Sequence, residues 1–480
     1  MKLKMKDLLV AAMMISAMVQ GASRSPNVLL LTVDDMNWDS LEVTGCTIPG
    51  ISPNIDRLAG QGFRFHHAHV ASTIFGPSRN AMLTGRYPHC SGSMGHGQQP
   101  PEGWVAPEVI TPRLDTYLHE NGYYTGAILK NSRQLNPTFD IRFHEKPFGV
   151  GAKDRDPDAF FERTQLVIEN AKNADKPFFL YANPIDPHDP WPRTKSEATM
   201  RAEWNPDDPY PEATTQFDPD EVYVPAYLLD TPEIRKHIAP YYDSVHRGDL
   251  CIGAVLRALE ESGEAENTLI IFLSDNGMLP PGAKRSLYDS STRTPLIFSW
   301  PGKIQPSVVD KTHLVSSIDI MPTVIEAVGL PEVKGLEGKS LWPILQGNTP
   351  DEWREFVYAA MTYYAQSEPR AYFPGRAMIG KEYTYVFNIH SLRDPERVNA
   401  FDAGYPLIQM MKRSGERERA RAEHLVRRPP EEFYSTRKDP GCWNNLIGNP
   451  EQKGRIEKYK RALEEEMRAT GDPESVVFSN

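Results

Sequence analysis

Cysteine is scarce in this chain: there are four in 480 residues, Cys46, Cys90, Cys251 and Cys442, far apart and with no CxxC pair. That scatter excludes a clustered zinc site. It leaves either one or two disulfides formed after export, with no basis for choosing partners, or buried free thiols. Positive charge is short as well, with 53 Lys and Arg against 64 Asp and Glu and a formal net charge of −11. Nucleic acid requires a basic face, so that partner is excluded. An anionic ligand must instead be held by local cations working against the field of the whole molecule. The apolar run at residues 8–19, broken only by Ser16, is too short to span a bilayer. It follows Lys2, Lys4 and Lys6 and runs into Val19-Gln20-Gly21. Those flanks predict a signal peptide over residues 1–21, cleaved near Gly21, and a periplasmic or secreted protein with no transmembrane segment in the mature chain.

What is present suits a large folded protein. The chain is 40% hydrophobic and 24% charged, enough to bury a sizeable core in two domains. Four apolar runs read as strands covered on both faces. Residues 27–33 end in Asp34-Asp35, and residues 268–273 end in Ser274-Asp275-Asn276-Gly277. Residues 177–181 lead to Asp186-Pro187-His188, and residues 123–129 lead to Lys130. Amphipathic helices are expected between them, at 166–174 and 254–263. Strands alternating with helices predict an α/β fold with a mostly parallel sheet. In such sheets ligands bind beyond the carboxyl ends of the strands, where all four polar clusters fall.

The chemistry of these clusters is specific. Asp34, Asp35, Asp275 and Asn276 offer only hard oxygen donors, which suit Ca²⁺, and less well Mg²⁺, but neither zinc nor copper. Carboxylates that converge need a cation, although each Asp alone reads equally as a turn or cap residue. In the segment 76–85, Pro77 is placed at the first position of a helix and Gly85 at its end. A helix N-terminus cradles anions, and Arg79 would add a permanently charged fork.

Together these residues resemble the sulfatase family of the alkaline-phosphatase superfamily. Its signature of Cys or Ser, any residue, Pro-Ser-Arg, four residues, Thr-Gly is matched by Pro77-Ser78-Arg79 and Thr84-Gly85. Further similar segments include Ser274-Asp275-Asn276-Gly277, Arg293-Thr294-Pro295-Leu296 and Asp319-Ile320-Met321-Pro322-Thr323. Tyr241-Tyr242-Asp243-Ser244, with Val224-Pro225-Ala226-Tyr227-Leu228, looks most like the heparan N-sulfatase (sulfamidase) branch. The resemblance implies a large α/β domain over residues 25–349. A smaller α+β domain would follow over 350–480, with an antiparallel sheet and a terminal helix. There, 381–388 alternates like a half-buried strand, and Ile456, Tyr459, Leu463 and Met467 form one helical face. The charge-dense segment 412–428 is expected to be solvated. The resemblance further implies that Asp34, Asp35, Asp275 and Asn276 hold the metal. Arg79, Lys130, His188 and Lys284 would then bind the sulfate of a sulfated saccharide, with His188 able to protonate the leaving atom.

Two positions depart from the pattern. Phe75 stands where the family carries the Cys or Ser that becomes formylglycine, so that nucleophile cannot form. Ser132 stands where a histidine usually follows Lys130. Three outcomes remain open: hydrolysis of a sulfate ester or N-sulfate by water or a neighbouring hydroxyl such as Ser72 or Thr73, a pseudo-sulfatase that binds sulfated glycans, or a phosphate or phosphonate hydrolase. Oligomeric state is not legible.

Overall fold

The computed structural model describes residues 25–95, 112–128, 138–143, 152–203, 211–363 and 372–478. The predicted signal peptide, Lys130 and Ser132 lie outside the described residues. The larger sheet is built from β1 (Asn27–Val33), β2 (Phe63–His69), β3 (Tyr124–Ile128), β4 (Ile141–Phe143), β5 (Phe178–Ala182), β6 (Thr268–Ser274), β7 (Leu296–Ser299) and β8 (Val308–Ser316). Their order is β4-β3-β5-β1-β6-β7-β2-β8. Every pairing is parallel except those of β7, which runs against both β6 and β2.

The apolar runs become strands because both faces are covered. In β1, Val28 and Leu30 enter one core cluster while Leu29, Leu31 and Val33 enter another on the opposite face. Each such side chain contributes roughly 1.5–3 kcal/mol on burial. The helices that matter for the site are α1 (Phe75–Thr84), α2 (Pro157–Asn173) and α3 (Pro232–Glu261). Through Phe160, Val167, Ile238 and Val255, α2 and α3 cover the Leu29 and Leu31 face. Through Met82 and Leu83, α1 packs on the other. Helix α1 begins at Phe75, two residues earlier than expected. Pro77 still lies in the first turn, where its missing N–H leaves no helical bond unmade. Gly85 closes the helix at φ 63°, in the left-handed conformation a C-terminal glycine supplies.

A second sheet of four antiparallel strands follows, β9 (Val357–Tyr363), β10 (Tyr372–Ile379), β11 (Thr384–Phe387) and β12 (Glu431–Tyr434), in the order β12-β11-β10-β9. Between β11 and β12 lies α4 (Glu416–Val426), and near the end of the chain α5 (Lys453–Ala469) packs on this sheet. Ile456, Tyr459, Leu463 and Met467 are the buried face of α5, as the sequence stripe predicts.

Two expectations are corrected. Strand β11 is buried along all four residues, not half-buried, because Val386 joins the large-domain core while Tyr385 and Phe387 join the cluster under α5. Segment 412–428 is not simply solvated: α4 buries Arg421, Ala422, Leu425 and Val426. Arg421 donates to the carbonyls of Gly441 and Cys442, and its guanidinium lies 4.9 Å from the Trp443 ring centre. All four cysteines are buried and unbonded. Among the described residues no helix is long and apolar enough to cross a membrane.

Candidate metal and anion site

The site is assembled by register. Strands β1 and β6 are parallel neighbours with Val33 beside Ser274, so the residues that follow each strand emerge together. The Asp275 N–H donates to the Val33 carbonyl (3.3 Å), and the Asp35 N–H donates to Asp275 Oδ1 (3.1 Å). Asp35 reaches this position at φ 65°, a left-handed conformation that costs a non-glycine residue of order 1 kcal/mol and is tolerated where the surroundings hold it. Asn276 Nδ2 donates to Asp35 Oδ1 (2.8 Å). Asp34, Asp35, Asp275 and Asn276 are all buried.

Cations close over this cluster from two other segments. The first turn of α1 brings in Arg79, whose Nε donates to Asp275 Oδ2 (2.9 Å) and whose Nη2 lies 3.4 Å from Asp34 Oδ2. Ser78 Oγ anchors the same turn by donating to the Asp275 carbonyl (2.6 Å). Lys284 Nζ donates to Asp35 Oδ1 (2.5 Å) and sits 5.8 Å from the ring centre of Phe75, the half-buried first residue of α1. His188 Nε2 lies 3.8 Å from Asp35 Oδ2, while its Nδ1 is 2.5 Å from the Asp189 carbonyl. A carbonyl only accepts, so Nδ1 carries the hydrogen and Nε2 is the nitrogen turned toward the carboxylates.

Among the described residues, three carboxylates at the centre face the cations Arg79 and Lys284. Burial, then the neighbouring Asp34, pushes the Asp275 carboxyl up to about 7. Burial opposes the charge on Lys284, but Asp35, Asp34 and Asp275 outweigh it and raise its pKa. Asp35 Oδ2 and Asn276 Oδ1 are buried without any hydrogen-bond donor among the described residues. Buried oxygens are rarely left so unless something else occupies them. Asp34, Asp35 and His188 can each direct one ligand atom within 4.8 Å of the others. The donor set fits a hard cation.

Every described residue predicted for the site therefore lies in one cluster. What the sequence did not reveal is how His188 is held. Asp186, two residues earlier, is clamped by Arg247 through Nε (2.6 Å) and Nη2 (3.1 Å), by Ser244 Oγ (2.6 Å), and by Arg155. Arg155 also donates to the His188 carbonyl (2.9 Å). Ser244 figures in the sequence only within a segment that resembles the sulfamidase branch, which names no partner for it.

With the geometry in place, similarity to known proteins decides the family. The sulfatase profile matches residues 26–330. The chain belongs to the sulfatase family. A second profile, described as N-sulphoglucosamine sulphohydrolase, C-terminal, matches residues 282–403 of this sulfatase. It is 26% identical to human N-sulphoglucosamine sulphohydrolase over 94% of this chain and 91% of that protein. To an ulvan-active sulfatase of Formosa agariphila it is 25% identical, over 95% of this chain and 77% of the relative. A solved structure described as bound to its substrate, D-glucosamine-2-N,6-O-disulfate, shares the fold at 19% identity. Its TM-score is 0.67, covering 94% of this chain and 99% of that one.

Proposed function

We propose that this sulfatase binds the sulfate group of a sulfated saccharide at a Ca²⁺ site formed by Asp34, Asp35, Asp275 and Asn276, and that the covalent route of its family is closed. The observation that carries this is the surplus of buried carboxylate beside oxygens that lack donors among the described residues. A bound divalent cation would neutralise that surplus and polarise the sulfuryl oxygens. Ca²⁺ is favoured over Mg²⁺ because a crowded carboxylate pocket suits irregular coordination. The relatives' sulfated-sugar substrates support the ligand class. The basic start and short apolar run of the sequence support export.

The chain's own groups divide the work. Arg79 and Lys284, permanently cationic and already paired to the carboxylates, supply positive charge for the sulfate oxygens. Lys130 is proposed to join them. His188 holds its proton toward Asp189 and presents Nε2 to the centre, where it would donate to a departing oxygen or nitrogen once protonated. Phe75 supplies a phenyl ring with no lone pair, so no group at that position can attack sulfur.

Incubation of the native protein and Ca²⁺ with sulfated oligosaccharides, followed by mass spectrometry, tests this. The expected outcome is binding that competes with free sulfate while the sugars remain intact. The available acid at His188 favours one second reading, slow hydrolysis by water. Release of desulfated product would establish that reading and overturn the closed route.

A further inference from the structure

A cavity of about 440 Å³ opens at the seam between the edge of the large sheet and the turn joining β10 to β11, and none of the residues assigned to the metal and sulfate site lines it. Its walls carry His66, His67, Arg293, Lys311, Lys381 and Arg437. The size falls within the range of small-ligand pockets. For a chain of net charge −11, this is a local concentration of positive charge against the general field.

The wall residues are there for a structural reason. Pairing of β2 with β8 shifts register between Phe65 and His67. Such an irregularity breaks strand alternation and lets successive side chains serve one face. The two imidazoles meet at 4.8 Å between ring centres. Arg293 is committed: its Nε and Nη2 donate to the His66 carbonyl, Nη2 also donates to His66 Nε2 (2.9 Å), and Nη1 lies 3.6 Å from Asp289. Because His66 Nε2 accepts, its Nδ1 carries the hydrogen. Glu382 is occupied by Arg437 at 2.7 Å, and nearby Asp310 by His313 at 2.7 Å. Lys381 Nζ is bound only to the Thr312 carbonyl (3.1 Å), and both Lys311 and Lys381 are exposed with no carboxylate in ion-pair range among the described residues.

We infer that this cavity is a second binding site for the sulfated saccharide, taking a sulfated sugar unit of the same chain whose other unit occupies the metal centre. The inference rests on the sulfated-saccharide reading above. Two ammonium groups with no carboxylate in ion-pair range among the described residues suit sulfate oxygens. Two imidazoles kept neutral near pH 7, since burial and Arg293 hold both down to about 4, suit sugar hydroxyls, which both donate and accept. Strand β2 carries the wall residues His66, His67 and His69, and from His69 the chain passes through residues 70–74 into α1, so one continuous segment links the cavity to the helix that holds Arg79.

The test compares Lys311→Ala/Lys381→Ala with wild-type protein, using two probes in Ca²⁺ buffer: a heparin-derived oligosaccharide of defined length and glucosamine 6-sulfate. The expected result is about tenfold weaker binding of the oligosaccharide, unchanged binding of the monosaccharide, and an unchanged melting temperature. A control pair of exposed lysines elsewhere, Lys334→Ala/Lys453→Ala, is expected to bind like wild type. Oligosaccharide binding undiminished in the cavity variant, or equally reduced in the control pair, overturns the inference. If Lys284→Met then weakens both probes, the metal-centre reading survives alone. Should wild-type protein bind neither probe, the sulfated-saccharide reading itself falls.

Discussion

Arg376 and Asp472, buried in the small domain, answer each other in full. The guanidinium donates to both carboxylate oxygens (2.6 and 2.9 Å) and, through Nη1, to the Met361 and Gly375 carbonyls and Thr362. Tyr358 also donates to Asp472. At the ends of β1 and β6, by contrast, three buried carboxylates face Arg79 and Lys284, and oxygens of Asp35 and Asn276 have no donor among the described residues. Both clusters remove charge from water, which is expensive. The balanced one compensates that cost internally and serves as structure. The unbalanced one leaves a negative surplus among the described residues, which a cation of the kind proposed above would cancel.

The largest effect should come from restoring what the unbalanced centre lacks. Phe75→Cys, coexpressed with a formylglycine-generating enzyme, should create sulfate release roughly 10³-fold or more above any wild-type background, the scale lost when a covalent nucleophile is removed. A confirmed aldehyde at residue 75 without activity would place the defect elsewhere, with Ser132 the first suspect. Next, Arg376→Met should cost about 3–5 kcal/mol in denaturant unfolding, because it strands a buried carboxylate. Arg79→Met in saturating Ca²⁺ should cost at most about half of that, since the cation covers the same carboxylates. Equal losses would erase the distinction between the clusters. Added Ca²⁺ should stabilise wild-type protein by about 2.7 kcal/mol at a hundredfold excess over Kd, seen as a rise in melting temperature, and Asp275→Ala should abolish that rise. Absence of any shift in wild type would remove the metal.

The centre was legible because its signals are local. A wholly apolar run that stops at Asp34-Asp35, and another that stops at Asp275-Asn276, announce buried strands with polar ends. The sheet then brings them side by side. Arg79 was legible through the glycine- and proline-bounded helix around it. The support behind His188 was not, because Asp186 is gripped by Ser244 and Arg247, 58 and 61 residues away. Nothing in residues 241–247 states which loop they meet. The misjudged segment at 412–428 has a different cause. Counting charges treats arginine as solvated, whereas Arg421 lays its planar head against Trp443 and Tyr288 and spends its donors on carbonyls.

The last effect concerns the balanced cluster and acid. His89 lies beside it, with Nδ1 3.7 Å from Asp472, and burial lowers its pKa from 6.5 to about 4 even though Asp472 pulls the other way. The folded protein therefore holds His89 neutral where the unfolded chain would protonate it. Its contribution is complete above about pH 6.5 and is lost as pH falls toward 4, at up to about 1.4 kcal/mol per pH unit. Asp472 extends the loss to lower pH: burial opposes its charge, but Arg376 outweighs burial and holds its pKa well below the usual carboxylate range. His66, His67 and His390 are also held down to about 4, so the wild-type slope is steeper than one histidine can produce. Only the difference between wild type and His89→Gln isolates this residue. Urea unfolding of both proteins from pH 7 to pH 4 should show the variant losing less stability, by one proton's slope. Parallel curves would mean that His89 is protonated in the folded state, and the cluster around Asp472 would then carry a positive surplus in place of its balance.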